Sequence, residues 1–230
     1  MSIRGVLLDS GHTLVRPLGG TWWPTLAFRK VAPELGIDAD AAGMREAHDT
    51  ALEYLQRNHA LQTLEEEEQQ FTRFYELLFE TLGHGPDLAL AKRLARETVY
   101  EQQFELYDDS VEVVREMRAA GLRVGIVSDA WPSLDLRYRM LGIRDEFDPF
   151  VVSALVGVNK PDPRIFRIAL GRIGLPAEQV FFVDDWPDII HAAIGLGMRG
   201  AVIERGEERP AHTFEHAPDM RAIWELIRAL

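Results

Sequence analysis

Asp9, Ser128 and the pair Asp184 and Asp185 each follow a short apolar run, and Lys160 stands in a loop that carries two prolines. A carboxylate at the end of a buried strand costs free energy unless a metal, a basic partner or a set of backbone N–H donors compensates it. Taken alone, Asp9 in LLDSGHT reads equally well as the cap of a turn. The set changes that reading, because parallel strands bring their carboxyl ends to one edge of a sheet. Three carboxylates at one edge repel each other strongly in a low dielectric. A hard divalent cation resolves the conflict, and a ligand set made only of oxygen points to magnesium. Lys160 adds positive charge and Ser128 a hydroxyl. Such a group suits a tetrahedral anion held beside a carboxylate nucleophile.

The elements that must position these residues follow from the pattern. Residues 3–15 (IRGVLLDSGHTLV) begin as a continuous apolar run closed by turn residues, as expected for a strand buried on both faces. Residues 16–20 (RPLGG) read as a flexible exit. From residue 22 to 104 apolar residues return every three or four positions, which predicts about four helices and no strand. Within them, the acidic run 65–68 reads as the solvated first turn of a helix. From residue 108 onward strands alternate with helices, with strands expected at 123–127, 150–152, 180–183 and 201–203. This alternation predicts an α/β fold, a doubly wound parallel sheet. The expected core is residues 1–15 and 106–230, Rossmann-like, with residues 16–105 inserted as a helical cap domain.

Composition narrows the function classes. The chain has 230 residues, 47% hydrophobic and 27% charged, with a formal net charge of −12, which argues against nucleic-acid and anionic-membrane partners. A small anionic substrate remains compatible, since one local cluster can reverse the field in a cleft. There is no cysteine, so disulfides, thiolate metal sites and a cysteine nucleophile are excluded. The start MSIRGVLLDS lacks the pattern of a secretory signal and no stretch is apolar enough to span a membrane, so the expected location is cytoplasmic.

The residues in order also carry a family pattern. Asp9 with Thr13 and Leu14, Ser128 after RVGIV, Lys160 in NKPDPRIF, and FFVDDWPDIIHAA from Phe181 together resemble the four motifs of the haloacid dehalogenase superfamily, in the branch with a helical cap between the first and second motifs. The resemblance implies that Asp9 is a nucleophile forming an aspartyl phosphate. It implies that Ser128 and Lys160 bind the phosphoryl group, with Lys160 also keeping Asp9 ionised. Asp9, the Gly11 carbonyl, Asp184 and Asp185 would hold Mg2+, with Asp185 as the direct ligand and Asp184 close behind. Gly11, His12, Ser128, Asp129 and Lys160 would meet a small phosphorylated substrate, with Asp129 a candidate partner for substrate hydroxyls.

One departure stands out. The family usually carries a second Asp two residues after the nucleophile as general acid/base, where this chain has Gly11. That proton shuttle is worth about 10²–10⁴ in rate. His12 is the nearest replacement. The expectation is a slow magnesium-dependent phosphatase or one restricted to good leaving groups. The alternatives are a metal-independent 2-haloacid dehalogenase, in which the paired acids would be uncompensated, and a binding or regulatory protein that kept the site without turnover. Trp22, Trp23, Trp131 and Trp186 either line a pocket for an apolar leaving group or pack cap on core. Asp188 orients the fourth motif or caps the following helix, and His191 reads as a packed histidine. Apolar faces of the insertion are satisfied internally or across a homodimer.

Overall fold

The computed structural model describes residues 2–39, 42–101, 103–206 and 210–230. Strand β1 (Gly5–Leu8) is buried at every position. It lies between β4 (Arg123–Ser128) and β6 (Val180–Asp184), parallel to both. With β5 (Phe150–Val152), β7 (Arg199–Ile203) and β8 (His216–Ala217) they form a six-stranded parallel sheet in the order β5-β4-β1-β6-β7-β8. The last of these strands was not expected from the sequence. At two residues it is too short for a periodic signal.

Both faces of the sheet are covered, which is why its strands read as unbroken apolar runs. Val6, Leu8, Ile126 and Val183 pack with α5 (Ser110–Ala119), α6 (Ser133–Met140) and α10 (Met220–Arg228). Leu7, Val127 and Phe182 pack on the other face with α8 (Pro163–Ile173) and α9 (Pro187–Gly195). A short helix, which we count as α7 (Ser153–Val156), follows β5.

Between β1 and this core lies the helical insertion: α1 (Leu26–Val31), α2 (Ala42–Arg57), α3 (Leu64–Thr81) and α4 (Leu88–Tyr100). It has its own hydrophobic core, centred on Phe28, Phe74, Tyr75, Leu78 and Leu94. Side-chain caps fix the helix starts, Thr25 for α1, Asp87 for α4 and a full capping box of Thr63 with Glu66 for α3. The expected flexible exit at 16–20 is corrected, since β2 (Val15–Pro17) pairs antiparallel with β3 (Phe104–Leu106). The ribbon ties the two chain crossings together. Val15 and Pro17 are buried while Arg16 is exposed, the alternation of a half-buried edge strand, where a proline is tolerated. Three residues are too few for that period to show in sequence.

Polar contacts fasten insertion to core. His59 shares a 2.7 Å hydrogen bond with Ser153 at the start of α7, and Trp131 Nε1 donates to Gln70 Oε1 at 2.8 Å. Burial lowers the pKa of His59, and of His48, which stacks on Trp23 at 4.9 Å. These histidines stay neutral in the fold below their ordinary pKa of 6.5, where the unfolded chain takes up the protons. Their share of the stability therefore falls as pH drops below about 6.5. Between pH 7.5 and 5.5 the urea midpoint of the unchanged protein should fall further, or rise less, than that of His59→Asn; an identical change in both would contradict the assignment.

Candidate active site

The order of the sheet builds the site. Because β1 is central, Asp9 emerges between Ser128, the last residue of β4, and Asp184, the last of β6. The Asp9 amide donates to the Val183 carbonyl at 2.9 Å, which holds the nucleophile candidate against β6. Lys160 comes from the loop between α7 and α8. That loop is fixed by Lys160 N donating to Asp129 Oδ1 at 2.9 Å and by Asp162 capping α8. The Lys160 ammonium then lies 2.6 Å from Asp9 Oδ1 and 2.6 Å from Asp184 Oδ2, with all three side chains buried.

One cation is shared by two buried anions, and the electrostatics show the imbalance. Burial alone would lower the pKa of Lys160, but Asp184, then Asp9 and Asp129, outweigh it and hold the ammonium charged well above its ordinary range. Asp184 goes the other way: burial, reinforced by Asp9 and Asp185, pushes it up to about 8 against the pull of Lys160. The site carries more negative charge than its own lysine offsets.

The turn after Asp9 is tightly determined. The Ser10 carbonyl accepts from the amides of Leu14 and Val15, and Ser10 Oγ shares a 2.8 Å hydrogen bond with the buried Tyr138 hydroxyl. His12 takes a left-handed backbone conformation, φ 52°. Its Nε2 accepts a 2.7 Å bond from Trp22 Nε1. An indole only donates, so Nε2 is the unprotonated nitrogen and the ring proton sits on Nδ1. The proton-shuttle role considered for His12 therefore meets an obstacle, since protonating Nε2 breaks the bond to Trp22. The same indole lies over Gly11, 3.4 Å from where a Cβ would stand.

Asp9, Gly11, His12, Ser128, Asp129, Lys160, Asp184 and Asp185, the eight residues singled out from the sequence, all line one cavity of about 460 Å³ between sheet edge and insertion. Trp22, Trp23 and Trp131 line it too, and Trp186 does not. His191 is exposed rather than packed, and Asp188 is exposed in the first turn of α9. The run 65–68 needs correction at Glu67, which is fully buried. Glu67 faces the cavity from α3 and accepts from Ser133 N at 2.7 Å and Ser133 Oγ at 2.6 Å, joining insertion to core. Burial raises its pKa against those bonds. Sequence reasoning also passed over Arg137, a further lining residue. A signal for Glu67 existed: it shares the three- and four-residue spacing of Phe71 and Phe74, so it belongs to the inward stripe of α3.

Asp9, Asp184, Asp185 and the Gly11 carbonyl offer only oxygen donors, and the raised pKa of Asp184 marks the anionic excess that a divalent cation relieves. The donor chemistry fits Mg2+. Among the described residues no three acidic or histidine side chains are already gathered as a metal cage, because Asp9 and Asp184 close on Lys160. Replacing the shared cation should expose the strain. Lys160→Met leaves two buried carboxylates facing each other and should cost about 3–5 kcal/mol in urea unfolding at neutral pH. Lys160→Met combined with Asp184→Asn should cost clearly less than the single change; equal losses would mean the triad is not coupled.

Comparison with known proteins agrees with this geometry. Residues 3–197 match a family model described as haloacid dehalogenase-like hydrolase. The chain is 31% identical over 154 residues to a phosphoserine phosphatase of Thermus thermophilus, an alignment covering 65% of this chain and 59% of that relative. It is 28% identical over 244 aligned positions to a glyceraldehyde 3-phosphate phosphatase of Methanopyrus kandleri, covering 99% of this chain and 98% of the relative. In fold it resembles the L-2-haloacid dehalogenase of Xanthobacter autotrophicus, with a TM-score of 0.72 at 18% identity over 99% of each chain. With a family match over most of its length and a parallel sheet that gathers an Asp, a Ser, a Lys and an Asp pair at one edge, the chain belongs to the haloacid dehalogenase-like hydrolases.

Proposed function

We propose that this hydrolase is a magnesium-dependent phosphatase that cleaves a small phosphate monoester through an aspartyl-phosphate intermediate, with the helical insertion acting as its cap. The observation that carries the reading is Asp9, buried beside Ser128, with one carboxylate oxygen bonded to Lys160 and the other uncommitted among the described residues. Both whole-length and partial relatives named as phosphatases support it.

In this reading the free oxygen of Asp9 attacks phosphorus, the bond from phosphorus to the leaving-group oxygen breaks, and water then hydrolyses the acyl phosphate. Lys160 holds the attacking carboxylate in place and offers positive charge to the phosphoryl oxygens, while the Ser128 hydroxyl donates to one of them. Asp9, Asp184, Asp185 and the Gly11 carbonyl would hold the magnesium ion, which supplies charge neutralisation for the transferring group. The leaving oxygen takes its proton from water, since Gly11 carries no acid and His12 is engaged by Trp22. Rate should then depend steeply on how well the leaving group departs.

A second reading, hydrolysis of a 2-haloacid without metal, has one observation in its favour: Asp9 and Asp184 both close on Lys160 and form no ready cage among the described residues. The assay separates the two. The protein should hydrolyse p-nitrophenyl phosphate with Mg2+, lose that activity in EDTA, and lose on the order of 10³-fold or more as Asp9→Asn. Chloride release from 2-chloropropionate without Mg2+, and no phosphatase activity, would favour the second reading. Across phosphate esters, log kcat/KM should fall steeply as the leaving-group pKa rises. Gly11→Asp combined with Trp22→Ala, which clears space for the new carboxyl, should flatten that slope; an unchanged slope would show that the missing acid at position 11 is not what limits the rate.

A further inference from the structure

Away from the sheet edge the cavity changes character. Six aromatic residues, Trp22, Trp23, Phe71, Phe74, Phe104 and Trp131, contribute to its lining. Its volume, about 460 Å³, exceeds what a phosphoryl group and a three-carbon alcohol need. The polar groups in this deeper part are largely spoken for. Both Glu67 oxygens are bonded to Ser133, the Thr98 hydroxyl is bonded to Tyr75, and Trp131 Nε1 is bonded to Gln70. The hydroxyls of a polyol would face rings over much of this wall.

Two donors stand out against this. Arg137, on α6, gives one guanidinium nitrogen to the Thr98 carbonyl and lies over the Phe104 ring at 5.6 Å. Its Nε is buried and has no partner among the described residues. Among the described residues no ion pair joins Arg137 to an acid; the nearby Glu67 acts on it only at longer range. Among the described residues Trp23 Nε1 is likewise buried without a partner, in a ring otherwise packed against Phe28, His48 and Phe74. Buried donors are rarely left unpaired, and a buried guanidinium least of all. Both side chains line the same cavity.

Resting on the phosphatase reading, we propose that the substrate is an aryl phosphate whose phenolic leaving group carries a carboxylate, with the ring held among the cavity aromatics and the carboxylate received by Arg137, assisted by Trp23. The aromatic wall supplies ring contacts, and a planar guanidinium suits a carboxylate. The chemistry at the other end agrees. A phenolate departs without a general acid, which is what a site with glycine at position 11 requires. The ester bond from phosphorus to the phenolic oxygen breaks, Asp9 takes the phosphoryl group, and the phenolate is protonated by water.

The test compares 4-carboxyphenyl phosphate, phenyl phosphate, glycerol 3-phosphate and O-phosphoserine by kcat/KM. The expected order places both aryl esters above the other two and the carboxylated one first. In Arg137→Gln the ratio of 4-carboxyphenyl to phenyl phosphate should drop on the order of tenfold. Trp23→Phe, which keeps a ring and removes the donor, should lower the same ratio, and it stands in if the buried arginine change prevents folding. Comparing variants at a fixed pair of substrates removes the intrinsic difference between the two phenols. A ratio untouched by both substitutions, or a preference for glycerol 3-phosphate or phosphoserine, would overturn the proposal. Quenching of tryptophan fluorescence by 4-hydroxybenzoate but not phenol provides a readout without turnover. Such binding in a protein that hydrolyses no phosphate ester would uphold the pocket and sink the phosphatase reading, whereas turnover without selective binding would do the reverse.

Discussion

Everything at the sheet edge depends on one ammonium held between two buried carboxylates. Lys160 lies 2.6 Å from both Asp9 and Asp184, and neither acid could sit so deep without it. The contact spans the chain, joining the first strand, the loop after β5 and the end of β6. It is a stabilising contact and a source of tension together, because one positive charge serves two negative ones with Asp185 close by. A site in that state attracts further positive charge, and that tension is the physical basis for assigning it a cation.

The placement of the insertion follows a similar economy of contacts. The chain leaves the core through β2 and returns through β3, and the two strands pair with each other, so both crossings move as one ribbon. Beyond the ribbon, α3 reaches the core through Glu67, whose carboxylate bonds the first residue of α6. Arg137, one turn further along α6, bonds the backbone of α4. The wall of the cavity is thus made of side chains that also hold the two parts together. The cavity lining and the position of the insertion are coupled through the same residues, so a change in the wall alters both.

Much of this could be read in the sequence, for reasons tied to particular residues. The run Val6 to Leu8 was legible as a central strand because both its faces are covered, which makes it uniformly apolar. Asp9, Ser128 and Asp184 were legible because parallel topology sends strand ends to one edge. The ribbon and β8 were not, since elements of two or three residues carry no period. Glu67 was hidden by its neighbours. Glu65 and Glu66 are ordinary first-turn acids, and only the inward stripe of α3 separates Glu67 from them. Arg137 was hidden by composition, since arginine supplies nearly all the basic residues and nothing local distinguishes a buried one. The bond from Trp22 to His12 joins residues ten apart across a turn and required coordinates.

That bond bears on why glycine stands two residues after Asp9. A side chain at position 11 would start in contact with the Trp22 indole, 3.4 Å from its Cβ, and the indole in turn fixes the imidazole of His12 as an acceptor. Loss of the acid, the ring above it and the neutral histidine form one arrangement, not three separate departures. On the proposed phosphatase reading, such an arrangement offers no proton donor at the leaving oxygen and puts an aromatic surface in its place. A leaving group that is itself aromatic uses both features, since its oxygen departs as a stabilised anion and its ring meets the indole side of the cavity. The buried Arg137 Nε then supplies the polar contact that fixes which ring is accepted. On the phosphatase reading proposed above, the absent acid at position 11 and the pocket lining point to the same substrate chemistry.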